Sequence, residues 1–357
     1  MANELENRVW EVLKGVTFPG MSRDIVSFGF VDRVEVQEGV ARVDLAMSTH
    51  SQEAAGEVKQ RVERALAALD GIEAAEVSLA VSQPPSAQDA VSQQPNLLPG
   101  VRHVIAVASG KGGVGKSTVA SNLAIRLGQL GHRTGLLDAD IYGPSIPMMF
   151  GINERPRVEG NRLFPFDRYG IRIMSLGFIL EVDTPVIWRG PMVVKAIEQM
   201  LGDVEWGELD YLIIDLPPGT GDAQLTLAQK VPLTGAVIVT TPQDIALIDA
   251  RKGLAMFEKV NVPVIGIIEN MSTFICPHCG ESTDIFKSGG GQRTAELLGC
   301  AFLGRVPLDA DIVRCGDDGE PIVVRQTEGS HADTFASLAR AVVAEAEKEQ
   351  KPSLSIS

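Results

Sequence analysis

The chain has 357 residues, of which 45% are apolar and 22% charged, and its formal net charge is −14. This length and composition are ordinary for a globular protein and leave room for two domains with buried cores. The acidic balance argues against sequence-independent binding to nucleic acid or anionic lipid, because both need a broad basic surface. We therefore expect neither a nucleic-acid partner nor a membrane partner.

We recognise neither a membrane span nor a targeting segment in the sequence. No apolar run approaches the roughly 18–20 residues of a membrane span. Met1–Lys14 lacks the basic start and apolar centre of a signal peptide. We therefore predict a cytoplasmic protein, in which four cysteines are expected to be metal ligands or buried thiols rather than disulfides.

Residues 1–81 are predicted to form a small α/β domain. Apolar residues recur on one helical face in Glu4–Leu13 and again in Gln52–Leu69. Three segments have strand patterns, and a turn at Gln37–Gly39 joins the first two. The predicted strands are Ile25–Glu35, Val40–Met47 and Val77–Val81.

Composition changes between residues 82 and 100, where four prolines stand among serine, glutamine and alanine. Such a segment cannot bury a core, so we interpret it as a flexible linker. From residue 101 to about residue 350, strand and helix patterns alternate, which predicts a doubly wound, mostly parallel α/β sheet. Residues 151–190 are less regular and could form a hairpin-like insertion. The predicted strands are residues 103–108, 133–138, 211–215, 235–240, 262–268 and 301–306.

Gly110–Ser117 reads G-K-G-G-V-G-K-S and matches the phosphate-binding loop (P-loop) pattern G-x-x-x-x-G-K-[ST] at every position. Glycines let backbone N–H groups surround phosphate oxygens. Lys116 would contact the β- and γ-phosphates, and the Ser117 hydroxyl would bind Mg²⁺. A predicted helix, Ser117–Leu130, follows with its N-terminus facing the anion.

Lys111 is a second lysine in the same loop. Because Lys116 already supplies a cation, a lysine at the rim could reach a nucleotide across a dimer interface; the alternative is a solvated surface lysine. The double-lysine loop resembles the deviant P-loop of the ATPases that include MinD, ParA and nitrogenase iron protein. This resemblance implies that two protomers enclose two ATP molecules, with Lys111 contacting the partner's nucleotide.

Predicted strands also end in aspartates. Asp215 closes an apolar strand, at the place where α/β ATPases hold Mg²⁺ directly or through a water. Gly219–Gly221 follow, and this segment could change its position according to whether the γ-phosphate is present. Asp138 and Asp140 end the strand after the P-loop helix and should point to opposite faces, so we expect different roles for them. Turn formation or helix capping is the alternative for both.

The same resemblance implies roles for residues around the loop. Asp140 would orient the attacking water, and Asp138 would tune Mg²⁺ hydration. Asn270 would pair with adenine, with help from residues after the last strand near Pro307, unless Asn270 only forms a turn. The predicted catalytic residues are Lys111, Lys116, Asp140 and Asp215. The predicted nucleotide-binding residues are Gly110, Lys111, Gly112, Gly113, Val114, Gly115, Lys116, Ser117, Thr118 and Asn270.

Cys276 and Cys279 form a C-x-x-C pair in a loop after a predicted strand. Two thiolates at this spacing can bind one metal ion or cluster edge, but Zn²⁺ and [4Fe–4S] centres usually need four ligands. Cys300 and Cys315 are candidates for the rest, although Cys300 has the apolar neighbours of a buried thiol. A two-fold dimer would instead supply four thiolates at its interface. Ligand type and spacing fit zinc and iron–sulfur equally.

Several motifs occur together with these residues: the double-lysine loop, Leu137–Ser145, Trp188–Met192, Asp215–Asp222 and Glu269–Cys279. As a set they resemble the Mrp/ApbC family of iron–sulfur cluster carrier ATPases over about residues 100–345. The first 81 residues resemble the small domain of iron–sulfur assembly proteins. However, Ser48–Ser51 lacks the cysteine of that domain's frequent Thr-Gly-Cys-Pro stretch, so we expect no cysteine chemistry there.

The family resemblance implies a slow ATPase that holds a labile [4Fe–4S] cluster at a homodimer interface, through Cys276 and Cys279, and passes it to apo-proteins. ATP and Mg²⁺ are the implied cofactors, and iron–sulfur clients and scaffold proteins are the implied partners. Two other functions stay open. One is a ParA/MinD-like positioning ATPase, against which the acidic charge counts. The other is an ATPase with a structural four-cysteine zinc site.

Overall fold

The computed structural model describes residues 2–17, 24–27, 29–37, 39–48, 52–82, 97–141, 143–179, 190–276 and 278–349. The chain divides into two compact units, Met1–Pro95 and Asn96–Ser357. The domain limits predicted at residues 81 and 101 stay predictions. Parts of the sequence motifs lie outside the described residues: most of the predicted linker, Thr49–Ser51, Tyr142, Trp188, Arg189 and Pro277.

The N-terminal unit contains a three-stranded sheet in the order β1–β2–β3. Its elements are α1 (Ala2–Leu13), β1 (Val31–Gln37), β2 (Val40–Ser48), α2 (Gln52–Ala67) and β3 (Ala74–Ser82). β1 and β2 are antiparallel, and β3 lies parallel to β2. Both helices and the sheet share one apolar core, which includes Val9, Leu13, Val43, Leu45, Val58, Val62 and Leu66.

The prediction of a strand over Ile25–Glu35 is wrong in its first half. The Asp24 carboxylate accepts hydrogen bonds from the amide and the hydroxyl of Ser27, at 2.8 and 2.7 Å. Aspartate favours such a local turn over a strand. The Phe30 amide also donates to the Ile25 carbonyl at 3.0 Å, so the chain turns before β1 begins at Val31. The other predicted elements of this unit differ only at their ends.

The second unit is built on an eight-stranded sheet that is parallel throughout, except where its last strand, β8, pairs antiparallel with β9. In spatial order the strands are β15 (Phe302–Arg305), β12 (Val264–Glu269), β11 (Gly235–Thr240), β4 (Val101–Ala108), β10 (Leu209–Asp215), β5 (Thr134–Asp138), β9 (Ile171–Ser175) and β8 (Phe166–Arg168). The central strands are buried over most of their length, as their apolar runs predict. The predicted mostly parallel α/β fold is confirmed.

Helices connect and cover these strands. They are α3 (Lys116–Gln129), α4 (Ile146–Met149), α5 (Gly190–Gly202), α6 (Asp222–Lys230), α7 (Asp244–Lys259), α8 (Gly290–Leu298), α9 (Ala310–Asp317), α10 (Ile322–Arg325) and α11 (Ser330–Glu349), with a 3₁₀ turn at Leu176–Phe178. Within the described part of the chain, none of the helices combines the length and apolar character needed to cross a bilayer.

Two short hairpins lie outside the large sheet. β6 (Val158–Glu159) pairs with β7 (Arg162–Leu163) at the start of residues 151–190, for which a hairpin-like insertion is predicted. That prediction is wrong for the part of this range that forms β8 and β9, because both strands belong to the large sheet. β13 (Phe274–Ile275) pairs with β14 (Ser282–Thr283) and encloses the C-x-x-C pair.

The parallel register brings the functional strand ends together. Asp215 of β10 pairs with Asp138 of β5 on one side and with Val107 of β4 on the other. The P-loop follows β4 directly. The carboxyl ends of three neighbouring strands therefore meet at one edge, where open α/β sheets bind their ligands.

Leu123 and Leu297 offer a matched test of the core. Leu123 of α3 is fully buried, whereas Leu297 of α8 is 67% exposed. We expect Leu123→Ala to lower the free energy of unfolding by about 2–5 kcal/mol, because it leaves a cavity. Leu297→Ala should change it by less than about 0.5 kcal/mol. Denaturant unfolding followed by circular dichroism measures both, and equal losses would contradict this packing.

Candidate functional site

The P-loop borders a cavity of about 420 Å³ at the carboxyl edge of the sheet. This volume suits a small-molecule ligand. Most of the predicted nucleotide-binding and catalytic residues line it: Gly112, Gly113, Gly115, Lys116, Ser117, Thr118, Asp140 and Asn270. The others lie beside or beneath it: Gly110, Lys111, Val114 and Asp215.

Gly115 is a position of the loop that requires glycine. Its φ of 79° lies in the left-handed region, and it caps the N-terminus of α3. A Cβ here would stand 2.2 Å from Asn270 Nδ2. That amide donates to the Val114 carbonyl at 2.8 Å, so Asn270 is tied to the P-loop backbone. The pairing of Asn270 with adenine stays a prediction.

Lys116 is buried and forms two ion pairs at the base of the cavity. Its Nζ lies 2.5 Å from Asp215 Oδ1 and 3.6 Å from Asp140 Oδ2. The second oxygens of the two aspartates, Asp215 Oδ2 and Asp140 Oδ1, are buried and have no hydrogen-bond partner among the described residues. Burial raises the pKa of both carboxyls, and the Lys116 ammonium opposes that rise.

The oxygen atoms around Lys116 fit a magnesium ion. The Ser117 hydroxyl accepts a hydrogen bond from Lys116 Nζ at 3.4 Å, and its interaction with Asp215 lowers the pKa of that carboxyl against the effect of burial. Asp140 adds a second carboxylate nearby. A hydroxyl and carboxylates with unpartnered buried oxygens are the hard ligands that Mg²⁺ takes beside a nucleotide. Ser117 and Asp215 are therefore placed where they could hold this ion.

Asp138 faces the loop that follows it rather than the cavity. Its carboxylate accepts hydrogen bonds from the Asp140 amide at 3.1 Å, the Ile146 amide at 3.2 Å and the Ser175 hydroxyl at 2.9 Å. Burial and the neighbouring Asp215 raise the pKa of Asp138 to about 7. Its predicted effect on Mg²⁺ hydration stays a prediction. Sequence reasoning missed Ser175, because β9 is distant in the chain and carries no motif.

Sequence reasoning also missed residues that complete the cavity. Ser145 lines it with a buried hydroxyl that has no partner in the described part of the chain. The Ser109 carbonyl accepts a hydrogen bond from the Gly219 amide at 2.9 Å, which ties the segment after Asp215 to the P-loop. An apolar wall, suited to a flat base, is formed by Met148, Met149, Leu308, Ile312 and Val313, together with Pro307, near which the resemblance predicts adenine contacts. No local pattern marks this wall, since its parts are far apart in the chain.

Cys276 and Cys279 lie in the turn of the β13–β14 hairpin, with Cys279 exposed and Cys276 half-buried. The Gly280 amide donates to the Cys276 carbonyl at 2.8 Å, and the Cys276 amide donates to the Glu281 carbonyl at 2.9 Å. Hydrogen bonds from the backbone of Cys279 and His278 lower the pKa of Cys276. The turn therefore favours the thiolate, which is the form that binds metal.

Cys300 and Cys315 differ from this pair. Cys300 packs against the core and Cys315 of α9 is buried, and burial raises the pKa of both thiols. Across the described residues, no group of three or more His, Cys, Asp or Glu side chains is placed to hold one metal ion. The four-thiolate site between two protomers stays a prediction.

Two family models match the chain. One, described as NUBPL iron-transfer P-loop NTPase, matches residues 100–343, and the other, described as iron-sulfur cluster assembly protein, matches residues 6–79. The iron-sulfur cluster carrier protein of Aquifex aeolicus is 53% identical over 246 residues, which cover 68% of this chain and 68% of the relative. The protein of the same name from Helicobacter pylori is 40% identical over 349 residues, covering 97% of this chain and 94% of the relative.

A solved structure also matches much of the chain. It is a nucleotide-binding protein from Archaeoglobus fulgidus in complex with ADP, and it is 39% identical with a TM-score of 0.59. The match covers 71% of this chain and 98% of that protein.

Gly115→Ala should weaken nucleotide binding by about 100-fold or more, equivalent to about 2.7 kcal/mol. The added Cβ would collide with the Asn270 amide in a backbone conformation that alanine disfavours. Calorimetric titration with ADP measures the loss. Gly253→Ala in α7 is the matched control, because a Cβ there meets nothing within 4 Å and should leave the affinity unchanged. Wild-type affinity in Gly115→Ala would contradict the loop geometry.

Proposed function

The chain belongs to the iron-transfer P-loop NTPases, and we propose that it is an ATP-hydrolysing carrier that passes iron–sulfur clusters to apo-proteins. The observation that carries this function is the presence, on one folded unit, of a P-loop cavity and of a thiol pair in which Cys279 is exposed and Cys276 half-buried. A relative that matches over nearly the whole chain is named as a cluster carrier, which supports the same conclusion. Free thiols suit the reducing cytosol, the compartment that we propose for it.

ATP is the substrate of the P-loop cavity. Lys116 would exchange its carboxylate partners for the β- and γ-phosphates. Bound to Ser117 and Asp215, Mg²⁺ would neutralise phosphate charge. Asp140 would orient a water whose oxygen bonds to the γ-phosphorus as the bond to ADP breaks, which yields ADP and phosphate. Lys111, on the rim, would contact the nucleotide of a second protomer.

The cluster is the cargo of the thiol pair. A [4Fe–4S] cluster needs four thiolates and one chain offers Cys276 and Cys279, so two copies of the chain would complete the site. Ile275 and Ile285, near the thiols, are 54% and 52% exposed. Apolar residues at this position suit contact with another protein surface, either the second copy or an apo-protein client. An exposed thiol such as Cys279 also lets an acceptor approach the cargo.

One chain segment connects the cavity to the thiols. Asn270 and Met271 line the cavity, and the segment that they begin leads to Cys276. Thr273 in this segment accepts a hydrogen bond at 3.0 Å from the amide of Leu308, which also lines the cavity. Nucleotide in the cavity would therefore contact both the start of the thiol segment and the neighbouring segment at Pro307 and Leu308. This continuity supports coupling between ATP hydrolysis and cluster release.

Anaerobic reconstitution with iron and sulfide tests the cargo site. We expect about two iron atoms per chain, because a four-iron cluster would be shared by two copies. Cys276→Ala/Cys279→Ala should lose this iron and the visible absorption of the cluster. Cys300→Ala/Cys315→Ala is the matched control and should keep both, since those thiols lie elsewhere. Zinc bound in place of iron, or iron lost in both variants, would contradict the carrier function.

Lys116→Ala tests the coupling of ATP hydrolysis to transfer. We expect it to bind the cluster normally, because Lys116 lies in the nucleotide cavity and not in the hairpin. Its ATP-dependent delivery to an apo-acceptor should fall to the rate without ATP, since phosphate contacts are lost. Recovery of acceptor activity over time measures delivery. Delivery at the wild-type rate would show that hydrolysis and transfer are not coupled.

A further inference from the structure

We infer that Ser175 is a positioning residue for ATP hydrolysis, which acts through Asp138 on the loop that carries Asp140. This inference rests on the proposed ATPase activity. β9 lies beside β5 in parallel register, and Ser175 is the direct partner of Asp138. The Ser175 hydroxyl donates to Asp138 Oδ2 at 2.9 Å. It is therefore held by a strand of the large sheet, independently of the loop.

Asp138 connects this strand to both ends of the loop. Its Oδ1 accepts the Asp140 amide at 3.1 Å, and its Oδ2 accepts the Ile146 amide at 3.2 Å. Between these two amides lies the segment that presents Asp140 and Ser145 to the cavity. One carboxylate thus holds the start and the end of the segment, and the Ser175 hydroxyl limits the rotation of that carboxylate.

The Ser175 hydroxyl has a fixed orientation. Its oxygen accepts a hydrogen bond from the Gly177 amide at 3.0 Å, so its hydrogen is directed to Asp138. Ser175 is completely buried and Asp138 is 1% exposed, so water cannot replace a lost partner. Neither residue lines the nucleotide cavity. An effect of Ser175 on hydrolysis must therefore pass through the position of the loop.

The hydrogen bonds of Ser175 and Asp138 hold the loop so that Asp140 keeps its distance from Lys116. Asp140 Oδ2 lies 3.6 Å from Lys116 Nζ, and Asp140 Oδ1 is buried without a partner in the described chain. A carboxylate that orients water must be placed to within a fraction of an ångström, because a shift of about 1 Å can cost about 100-fold in rate. A loosened loop would lose this precision and leave the P-loop contacts to phosphate in place.

Steady-state ATPase kinetics of Ser175→Ala test the inference. We expect kcat to fall by about ten- to a hundredfold, whereas the KM for ATP and the Kd for a non-hydrolysable ATP analogue stay within about twofold. Thr134→Val is the matched control. It also removes a buried hydroxyl, which donates to the His132 carbonyl at 3.1 Å at the opposite end of β5 from Asp138, and it should keep the wild-type kcat.

A double-mutant cycle separates positioning from general destabilisation. In an Asp140→Asn background, Ser175→Ala should cause little further loss, because both changes remove the same contribution. An equal loss in both backgrounds, or an unchanged kcat in Ser175→Ala, would overturn the inference. Asp138→Asn tests the same connection from the other side and should also lower kcat without raising KM. A wild-type chain that binds no ATP would instead contradict the proposed function itself.

Discussion

The buried ion pair between Lys116 and Asp215 is the interaction on which the nucleotide site depends. Lys116 is 6% exposed and Asp215 fully buried, so both charges have lost their water and each needs the other. The pair is possible because the parallel register sets the end of β10 beside the P-loop strand. Asp138 and Asp140 place two more carboxyls nearby, and burial, followed by the neighbouring Asp215 carboxylate, raises their pKa values. Bound phosphates would compensate the charge of the lysine, and Mg²⁺ would compensate the charges of the carboxylates.

The parts of the fold that the sequence predicts are those with a local pattern. Strands of the large sheet are continuous apolar runs, and the predicted 235–240 coincides with β11. The P-loop and the C-x-x-C pair are recognisable because their chemistry needs fixed spacing within one segment. The early start predicted for β1 is wrong because the Asp24 side chain binds the backbone in place of a neighbouring strand. The alternation of apolar and polar residues does not reveal such a local hydrogen bond. Ser175 could not be predicted, since its partner is set by the register of two strands with a long excursion between them.

The cysteines show what geometry adds to spacing. The sequence offers four thiols as candidate ligands, and burial divides them into an accessible pair and two thiols whose pKa values are raised. Backbone hydrogen bonds in the hairpin turn favour the thiolate of Cys276 before any metal arrives. A pair of thiolates cannot saturate a four-iron cluster. This ligand count, more than any surface feature, is the reason for proposing a second copy of the chain.

Two consecutive residues, Glu269 and Asn270, hold the base of the thiol hairpin in place. The Glu269 carboxylate accepts hydrogen bonds from the amides of Gly289 and Gly291, at 3.0 and 2.6 Å, where the chain returns from the hairpin. Asn270 binds the P-loop carbonyl of Val114 at 2.8 Å. The thiols are therefore attached to a base that is hydrogen-bonded to the P-loop, and a local swing of the hairpin would break buried hydrogen bonds. In the proposed dimer, a nucleotide-driven change would then reach the thiols mainly by altering how two copies of the chain pack together.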